Sequence, residues 1–184
     1  MRALSTLTVR PAGEADATRI GQIYVDAWLD TYPGLLPGAL LRRLDPEATA
    51  RRMRRIITGG GQRERVLVAE HEDEVVGMAS HGRCGDRALG YEGEVYTLYV
   101  DPAAYGCGVG RSLLGAVREA ETARGARSLL VWVLAANPAR FFYEAQGARL
   151  IATREARMSG MPVPMAAYGW RDLGRRTRPR RPGA

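Results

Sequence analysis

The hydrophobic residues of this chain follow two spacings, one typical of strands and one typical of amphipathic helices. Taken in order, the pattern predicts β-α-α-β-β-β-α-β-α-β-β. The predicted strands cover residues 7–10, 65–70, 75–82, 95–100, 128–134, 149–157 and 163–171, and the predicted helices cover 14–29, 38–57, 109–124 and 137–146. We therefore expect an α+β fold in which helices flank a twisted, mostly antiparallel sheet. The helix between strands 95–100 and 128–134 requires that these two strands form one parallel pair.

Residues that start or stop helices support several of these boundaries. Asn137 and Pro138 suit the N-cap and first position of the last helix, and Gly147 suits its C-terminal end. The segment 31–37, TYPGLLP, separates the first two helices. The second helix carries arginines that we interpret as a solvent-exposed face: Arg42, Arg43, Arg51, Arg52 and Arg55.

Three glycines lie between the central strand and the helix that follows it: Gly106, Gly108 and Gly110. A loop without side chains lets backbone N–H groups surround an anion at a helix N-terminus, where the helix dipole favours negative charge. The loop does not match a Walker A motif, because Tyr105 stands where that motif has its first glycine and Arg111 where it has its lysine. It does not match the dinucleotide-binding fingerprint either, because the third glycine of that fingerprint is missing. We favour a phosphate site of another kind; a glycine-rich turn without a ligand is the alternative.

The charge of the chain raises the question of nucleic-acid binding, because the formal net charge is +7 and all 27 basic residues are arginine. Five of these arginines lie in the last ten residues, and without their charges only +2 remains. The sequence holds no recognised nucleic-acid-binding motif, so we expect no specific nucleic-acid partner. We predict one domain over residues 1–172 and a disordered, arginine-rich tail over 173–184.

No apolar run reaches membrane-spanning length, and the N-terminus lacks the apolar region of a signal peptide. We therefore predict a cytoplasmic protein without a membrane partner. Cys84 and Cys107 are too few for a disulfide framework and lack metal-site spacing, so no metal is expected. His71 and His81 are interpreted as surface residues. The tryptophans are interpreted as core or pocket-wall residues: Trp28, Trp132 and Trp170.

Two stretches together resemble the GNAT family of N-acetyltransferases. Residues 105–110, YGCGVG, fit the family's acyl-CoA pyrophosphate motif, Gln/Arg-x-x-Gly-x-Gly/Ala, except at the first position. Residues 137–147 resemble the family's second signature through Ala139, Phe142, Tyr143, Glu144 and Gly147. Asn137 lies one residue closer to the tyrosine than in the commonest spacing, and Ala148 replaces an aromatic residue. The order of elements agrees with that of the family over about residues 7–171.

The resemblance implies an acetyl-CoA-dependent N-acetyltransferase that moves an acetyl group to a primary amine by direct attack on the thioester. It implies that the parallel strands are splayed and form the acyl-CoA slot. The residues expected to bind acetyl-CoA are Leu98, Val100, Tyr105, Gly106, Gly108, Val109, Gly110, Arg111, Ser112, Asn137 and Phe142. Tyr143 corresponds to the family's general acid. Glu94 is the candidate general base, with Glu92 and Tyr96 as rivals.

The sequence does not name the acceptor, which is a small molecule or a peptide that carries an amine. We expect its pocket to lie between the first two helices and the final strand hairpin, as in relatives of the family. A non-catalytic acyl-CoA-binding regulatory module is the alternative to an enzyme. Association into a homodimer is left open.

Overall fold

The computed structural model describes residues 7–60, 63–158 and 160–174. The strands are β1 (Leu7–Pro11), β2 (Glu64–His71), β3 (Glu74–Arg83), β4 (Gly93–Val100), β5 (Leu129–Leu134), β6 (Arg149–Met158) and β7 (Met161–Trp170). The helices are α1 (Ala17–Thr31), α2 (Gly38–Leu41), α3 (Pro46–Thr58), α4 (Val109–Ala123) and α5 (Ala139–Ala145). The predicted order of strands and helices is confirmed, with one helix more than expected.

The described strands form one sheet in the order β1-β2-β3-β4-β5-β7-β6. Every neighbouring pair is antiparallel except β4 and β5, which are parallel as predicted. In these two strands, pairing joins Gly93–Val95 to Leu129–Val131 and then stops, although β4 continues to Val100 and β5 to Leu134. The two strands therefore part at the centre of the sheet, and the predicted splay is confirmed.

A β-bulge lies in β4 where the splay begins. Ser80 of β3 is opposite Thr97, whereas the next residue, His81, is opposite Val95, so Tyr96 is the extra residue of β4. A bulge of this kind bends the strand and changes the direction of nearby side chains. It thus contributes to the separation of β4 from β5.

Helices cover both faces of the sheet and enclose separate apolar layers. One layer packs α4 and α5 against the sheet and includes Val95, Leu113, Leu114, Val117, Leu129, Val131, Tyr143 and Trp170. A second layer packs α1 and α3 against it and includes Ile20, Ile23, Met53, Val68 and Met78. A third cluster joins the α1–α2 region to β5 and β7 and includes Tyr32, Leu36, Leu41, Leu134 and Val163. The splay therefore lies between two helical layers.

The prediction of one helix over residues 38–57 is wrong, because α2 ends at Leu41 and α3 begins at Pro46. Asp45 is extended, and its side chain accepts a hydrogen bond from the Glu47 N–H at 2.9 Å. Proline at the first position of α3 lacks a donor and biases the preceding residue away from helix. The Asp-Pro pair was the signal for this break. The arginines of the predicted solvent-exposed face are all exposed, as expected.

The prediction that His81 lies on the surface is also wrong. Its side chain is 0 % exposed, and its Nδ1 lies 2.6 Å from Oε1 of Glu121 on α4. Arg124 donates to the same oxygen at 3.1 Å. Burial acts to raise the pKa of Glu121, but the hydrogen bonds from His81 and Arg124 outweigh it, so the pKa is lowered. His71, near Glu72 at the β2–β3 turn, is partly buried.

Replacing Glu121 with alanine is expected to lower the free energy of unfolding by about 3 kcal/mol, since it removes one partner from a buried charged network. Glu119→Ala, an exposed position of the same helix, is the matched control and should change stability by no more than about 0.5 kcal/mol. Denaturant unfolding measures both values. Because the folded-state pKa of Glu121 is lowered, its contribution should be complete above the ordinary carboxyl pKa and should disappear on acidification. Equal losses in both variants would contradict this account.

The predicted tail falls almost entirely outside the described residues, which end at Gly174. Leu173 is buried in the layer beneath α4, and its N–H donates to the Arg127 carbonyl at 2.9 Å. The packed part of the chain therefore reaches at least this residue. Among the residues that the structure describes, no helix is long and apolar enough to cross a membrane.

Candidate active site

The glycine loop before α4 forms an open cradle. Gly106 and Gly108 have φ values of 75° and 88°, in the left-handed region that favours glycine. A Cβ added to either residue would meet no described atom within 4 Å, so the space above the loop is free. Gly110 is different, because it lies inside the helix and an added Cβ would sit 3.5 Å from the Phe142 ring and 3.8 Å from Cδ2 of Leu98. The structure thus brings Gly110, Leu98 and Phe142 together, as predicted.

The N-terminus of α4 offers free hydrogen-bond donors beside this cradle. Gly108 is the N-cap, and the first helical bond runs from the Ser112 N–H to its carbonyl at 3.1 Å. The N–H groups of Val109, Gly110 and Arg111 consequently have no acceptor in the part of the chain that the structure describes. Together with the helix dipole, these donors make the loop suitable for a phosphate group.

The unpaired part of β4 leads from this loop into the splay. Leu98 and Val100 pair with β3 on one side, opposite Ala79 and Gly77. On the other side, the described part of β5 pairs with β4 only as far as Val95. The backbone edge between the two strands is therefore open to an extended ligand, which could add to it as a strand does.

Tyr105 lies at the start of the loop but is 46 % exposed. Burial raises the pKa of its hydroxyl, and the side chain of Thr31, at the end of α1, opposes that shift. Its ring therefore stands between the glycine loop and α1.

Asn137 is buried, and both its side-chain oxygen and its side-chain nitrogen form hydrogen bonds within the protein. Its Oδ1 accepts a hydrogen bond from the N–H of Ala139, the first residue of α5, at 2.8 Å, but Pro138 rather than Asn137 occupies the N-cap position. Its Nδ2 donates to the Tyr32 hydroxyl at 3.4 Å, a contact that joins the α1–α2 region to the β5–α5 loop. One of the two Nδ2 hydrogens remains for a ligand. Sequence reasoning missed the contact with Tyr32, because the two residues lie 105 positions apart.

Tyr143 lies in the layer beneath α4 and α5, and its side chain is only 5 % exposed. Its ring meets the edges of Phe142 and Trp170 at centroid distances of 5.1 and 6.2 Å. Burial raises the pKa of its hydroxyl, and the nearby Tyr32 adds to the shift. The phenol therefore keeps its proton throughout the neutral pH range. Gly147, with φ of 86°, ends α5 as predicted.

Glu94 lies on the opposite face of β4 from the α4 layer, because the adjacent Val95 packs into that layer. Its Oε2 accepts a bond from the Gly85 N–H at 2.9 Å. Burial raises the pKa of Glu94, while this bond and the positive charge of Arg154 partly oppose the shift. The carboxylate borders a cavity of about 430 Å³, whose lining consists of Gly85, Asp86, Arg87, Glu94, Trp132 and Arg154.

The two rivals of Glu94 are occupied elsewhere. The Glu92 carboxylate accepts the backbone N–H of Arg127 at 2.5 Å, and the Glu92 N–H donates to the Ser128 hydroxyl at 3.1 Å, so this residue fixes the α4–β5 loop. The Tyr96 hydroxyl donates to the Arg83 carbonyl at 2.6 Å. Burial, with help from nearby acidic side chains, raises the pKa of Tyr96 to about 12. The Tyr96 phenol therefore keeps its proton at neutral pH, and the Glu92 carboxylate is engaged in the α4–β5 loop.

An aromatic cluster on the α1 side was not predicted as such. The ring of Trp28 stacks on Tyr24 at 5.4 Å and contacts Tyr32 at 4.7 Å, and Tyr24 meets Tyr99 of β4 at 4.9 Å. Tyr24 and Trp28 of α1 and Tyr32, its C-cap, are spaced four residues apart, which was a usable sign that they share one face. The predicted wall and core positions of the tryptophans agree with the structure: Trp132 borders the Glu94 cavity, and Trp170 is buried.

A splayed parallel pair beside an open glycine loop with free donors is the arrangement expected of an acyl-CoA-dependent acyltransferase of the GNAT type. Comparison with known proteins agrees. The family model described as Acetyltransferase (GNAT) domain matches residues 62–147. The chain is 32 % identical over 169 residues to YuaI, an uncharacterized N-acetyltransferase of Bacillus subtilis (strain 168), and the match covers 91 % of this chain and 94 % of YuaI.

Two solved structures extend this likeness. An N-acetyltransferase from Staphylococcus aureus Mu50 is 25 % identical with a TM-score of 0.71, and the match covers 92 % of this chain and 99 % of that one. YncA of Salmonella typhimurium, solved with its cofactor acetyl-CoA, is 25 % identical with a TM-score of 0.66, over 94 % and 97 % of the two chains. The chain therefore belongs to the GNAT family of N-acetyltransferases, and acetyl-CoA is its co-substrate.

Proposed function

We propose that the protein acetylates a primary amine of a small molecule or peptide by direct attack of the amine on the thioester of acetyl-CoA. The observation that carries this proposal is the splay of β4 from β5. The glycine loop lies at one end of the opening between β4 and β5. Glu94 lies at the other end, next to Val95, where the pairing of the two strands stops. Donor and acceptor can thus reach one another without a covalent acetyl-enzyme.

Acetyl-CoA supplies the activated acetyl group, and several residues are placed to hold it. The backbone of Gly106, Gly108, Val109 and Gly110, with the side chains of Arg111 and Ser112, would bind the pyrophosphate. The open edge at Leu98 and Val100 would pair with the pantetheine arm, which Tyr105, Asn137 and Phe142 border. The free space over the loop and the unpaired donors fit this assignment.

Glu94 is proposed as the general base. An amine must lose a proton as it forms an amide, and a carboxylate with a raised pKa is better matched to that task than an ordinary one. Its side chain lies on the face of the sheet where α1 packs, away from the α4 layer. The acceptor would therefore approach from this face of the sheet, through the cavity that Glu94 borders, whose lining comes from the β3–β4 segment, β4, β5 and β6.

Tyr143 is proposed as the general acid. Burial holds its hydroxyl in the protonated form, as a donor requires, and its ring contacts Phe142, which lies beside Gly110. Its role would be to donate to the sulfur of the departing coenzyme A.

Glu94→Gln is expected to lower kcat/KM about a hundredfold at neutral pH, because the amide cannot accept a proton. In the wild type, activity should fall on acidification through a pKa above the ordinary glutamate value, since the raised pKa keeps Glu94 protonated at higher pH. Arg154, Asp86 and Cys84 are the charged or titratable neighbours of this carboxyl. The pH dependence of kcat/KM, measured with a saturating concentration of acetyl-CoA, tests this expectation.

Glu92→Gln is the matched control, because it lies two residues away and its carboxylate is bound to Arg127. It should leave both the rate and the acidic limb of the profile close to those of the wild type. If Glu94→Gln keeps the wild-type acidic limb, another group or a chain of water molecules accepts the proton.

A further inference from the structure

We propose that the acceptor carries an anionic group, in the simplest case a carboxylate, in addition to its amine, and that Arg154 binds this group. The inference deepens the proposed function, on which it rests. It concerns a small amino acid-like acceptor rather than a simple amine or a diamine. Arg154 would then be the residue that determines acceptor specificity.

The first support is the cavity that Arg154 shares with Glu94. At about 430 Å³ it falls within the range of small-molecule sites. Its lining combines two acidic side chains, Glu94 and Asp86, with two basic ones, Arg87 and Arg154. A ligand with one positive and one negative group can satisfy both kinds of charge, whereas a diamine would place its second cation against the arginines.

The second support is the way in which Arg154 is held. Its guanidinium carbon lies over the ring of Trp132, 3.9 Å from the ring centroid, a cation–π contact that holds the group against the ring. Its Nη1 lies 3.4 Å from Oδ2 of Asp86. Within the described part of the chain, Nε and Nη2 have no hydrogen-bond partner. The side chain is thus oriented and still has donors free.

The free donors of Arg154 suit a carboxylate. A guanidinium presents its N–H groups as a planar fork that matches the two oxygens of such a group. The side chain of Arg154 is about half exposed, so its pair with Asp86 contributes little to stability. Substitution of Arg154 should therefore change acceptor binding without unfolding the protein.

The experiment compares ω-amino acids with alkylamines of the same chain length, both with acetyl-CoA. The amine–carboxylate spacing is varied over the series, and kcat/KM is measured for wild type, Arg154→Gln and Arg154→Glu. We expect the wild type to prefer the best amino acid over its alkylamine by about tenfold to a hundredfold, the usual effect of a hydrogen bond to a charged group. Arg154→Gln should remove most of this preference, and Arg154→Glu should reverse it.

Arg157→Gln is the matched control. Arg157 is an exposed arginine of the same strand, three residues further on and therefore on the opposite face of the sheet, where it donates to the Gly160 carbonyl. This variant should keep the wild-type preference. Equal use of amino acids and alkylamines by the wild type, or an unchanged preference in Arg154→Gln, would overturn the proposal.

Calorimetric binding of the same compounds separates this proposal from the proposed function. If the wild type binds amino acids through Arg154 but acetylates no amine, the carboxylate site stands and the proposed acetyl transfer to amines does not. If alkylamines are acetylated and bound as well as amino acids, acetyl transfer stands and the carboxylate site does not. Failure to bind any amino acid in the series also counts against the carboxylate site.

Discussion

Tyr143→Phe is expected to lower kcat about a hundredfold while leaving the KM for acetyl-CoA and the stability nearly unchanged. The substitution keeps the ring, which packs against Phe142 and Trp170, and removes only the hydroxyl. General acid assistance is typically worth about a hundredfold or more in rate. A loss confined to kcat would show that the hydroxyl acts in the transition state rather than in binding. Steady-state kinetics at several pH values provides the measurement.

Tyr91→Phe is a suitable control for this variant. Tyr91 is also buried, and its hydroxyl has no hydrogen-bond partner among the described residues. Its loss should leave kcat unchanged. If Tyr143→Phe turns over within a few-fold of wild type, Tyr143 is a structural residue and another group protonates the sulfur. A large fall in melting temperature would instead place the hydroxyl in a buried network that supports the fold.

Gly110→Glu is expected to abolish the stabilisation of the protein by acetyl-CoA. The new carboxylate would lie in the first turn of α4, among the donors proposed to bind the pyrophosphate. Like charges placed together cost several kcal/mol, which corresponds to at least about a hundredfold in affinity. At a concentration 100-fold above Kd, acetyl-CoA should stabilise the wild type by about 2.7 kcal/mol, or roughly 5–10 °C in Tm. The variant should show almost no shift.

A Cβ at Gly110 would meet Phe142 at an ordinary contact distance of 3.5 Å, so the first atom of the new side chain fits, and a cooperative unfolding transition checks that the variant folds. Gly115→Glu adds the same side chain and charge five residues further along α4, where an added Cβ would meet no described atom within 4 Å. This control should keep the wild-type shift in Tm. Equal shifts in Gly110→Glu and Gly115→Glu would mean that the pyrophosphate does not bind at this loop.

The parts of the fold that could be predicted are those whose signals are local. Strand β4, the glycine loop and the start of α4 are predicted by residues within one continuous stretch, 94–114. The stretch from Asn137 to Gly147 likewise contains both ends of α5. The missed break between α2 and α3 was also local. Asp45-Pro46 is a common helix start, but the apolar spacing on either side of it favoured one long helix.

The contacts that could not be predicted join residues far apart in sequence. His81 and Glu121 are 40 residues apart, and nothing near either residue indicates that a strand and a helix bury them against each other. The Glu94 cavity likewise draws Asp86, Trp132 and Arg154 from a loop and two further strands. Such clusters depend on the register and order of strands, which the spacing of hydrophobic residues does not determine.

The central claim is that an amine receives the acetyl group, and the most direct test combines thiol release with mass spectrometry of the acceptor. Purified protein is incubated with acetyl-CoA and the series of amino acids and alkylamines. We expect thiol to appear only when an amine is present, in equal amount to an acceptor heavier by one acetyl group. Acetyl-CoA that raises the melting temperature but releases no thiol with any amine would contradict the claim and indicate a non-catalytic acyl-CoA-binding protein.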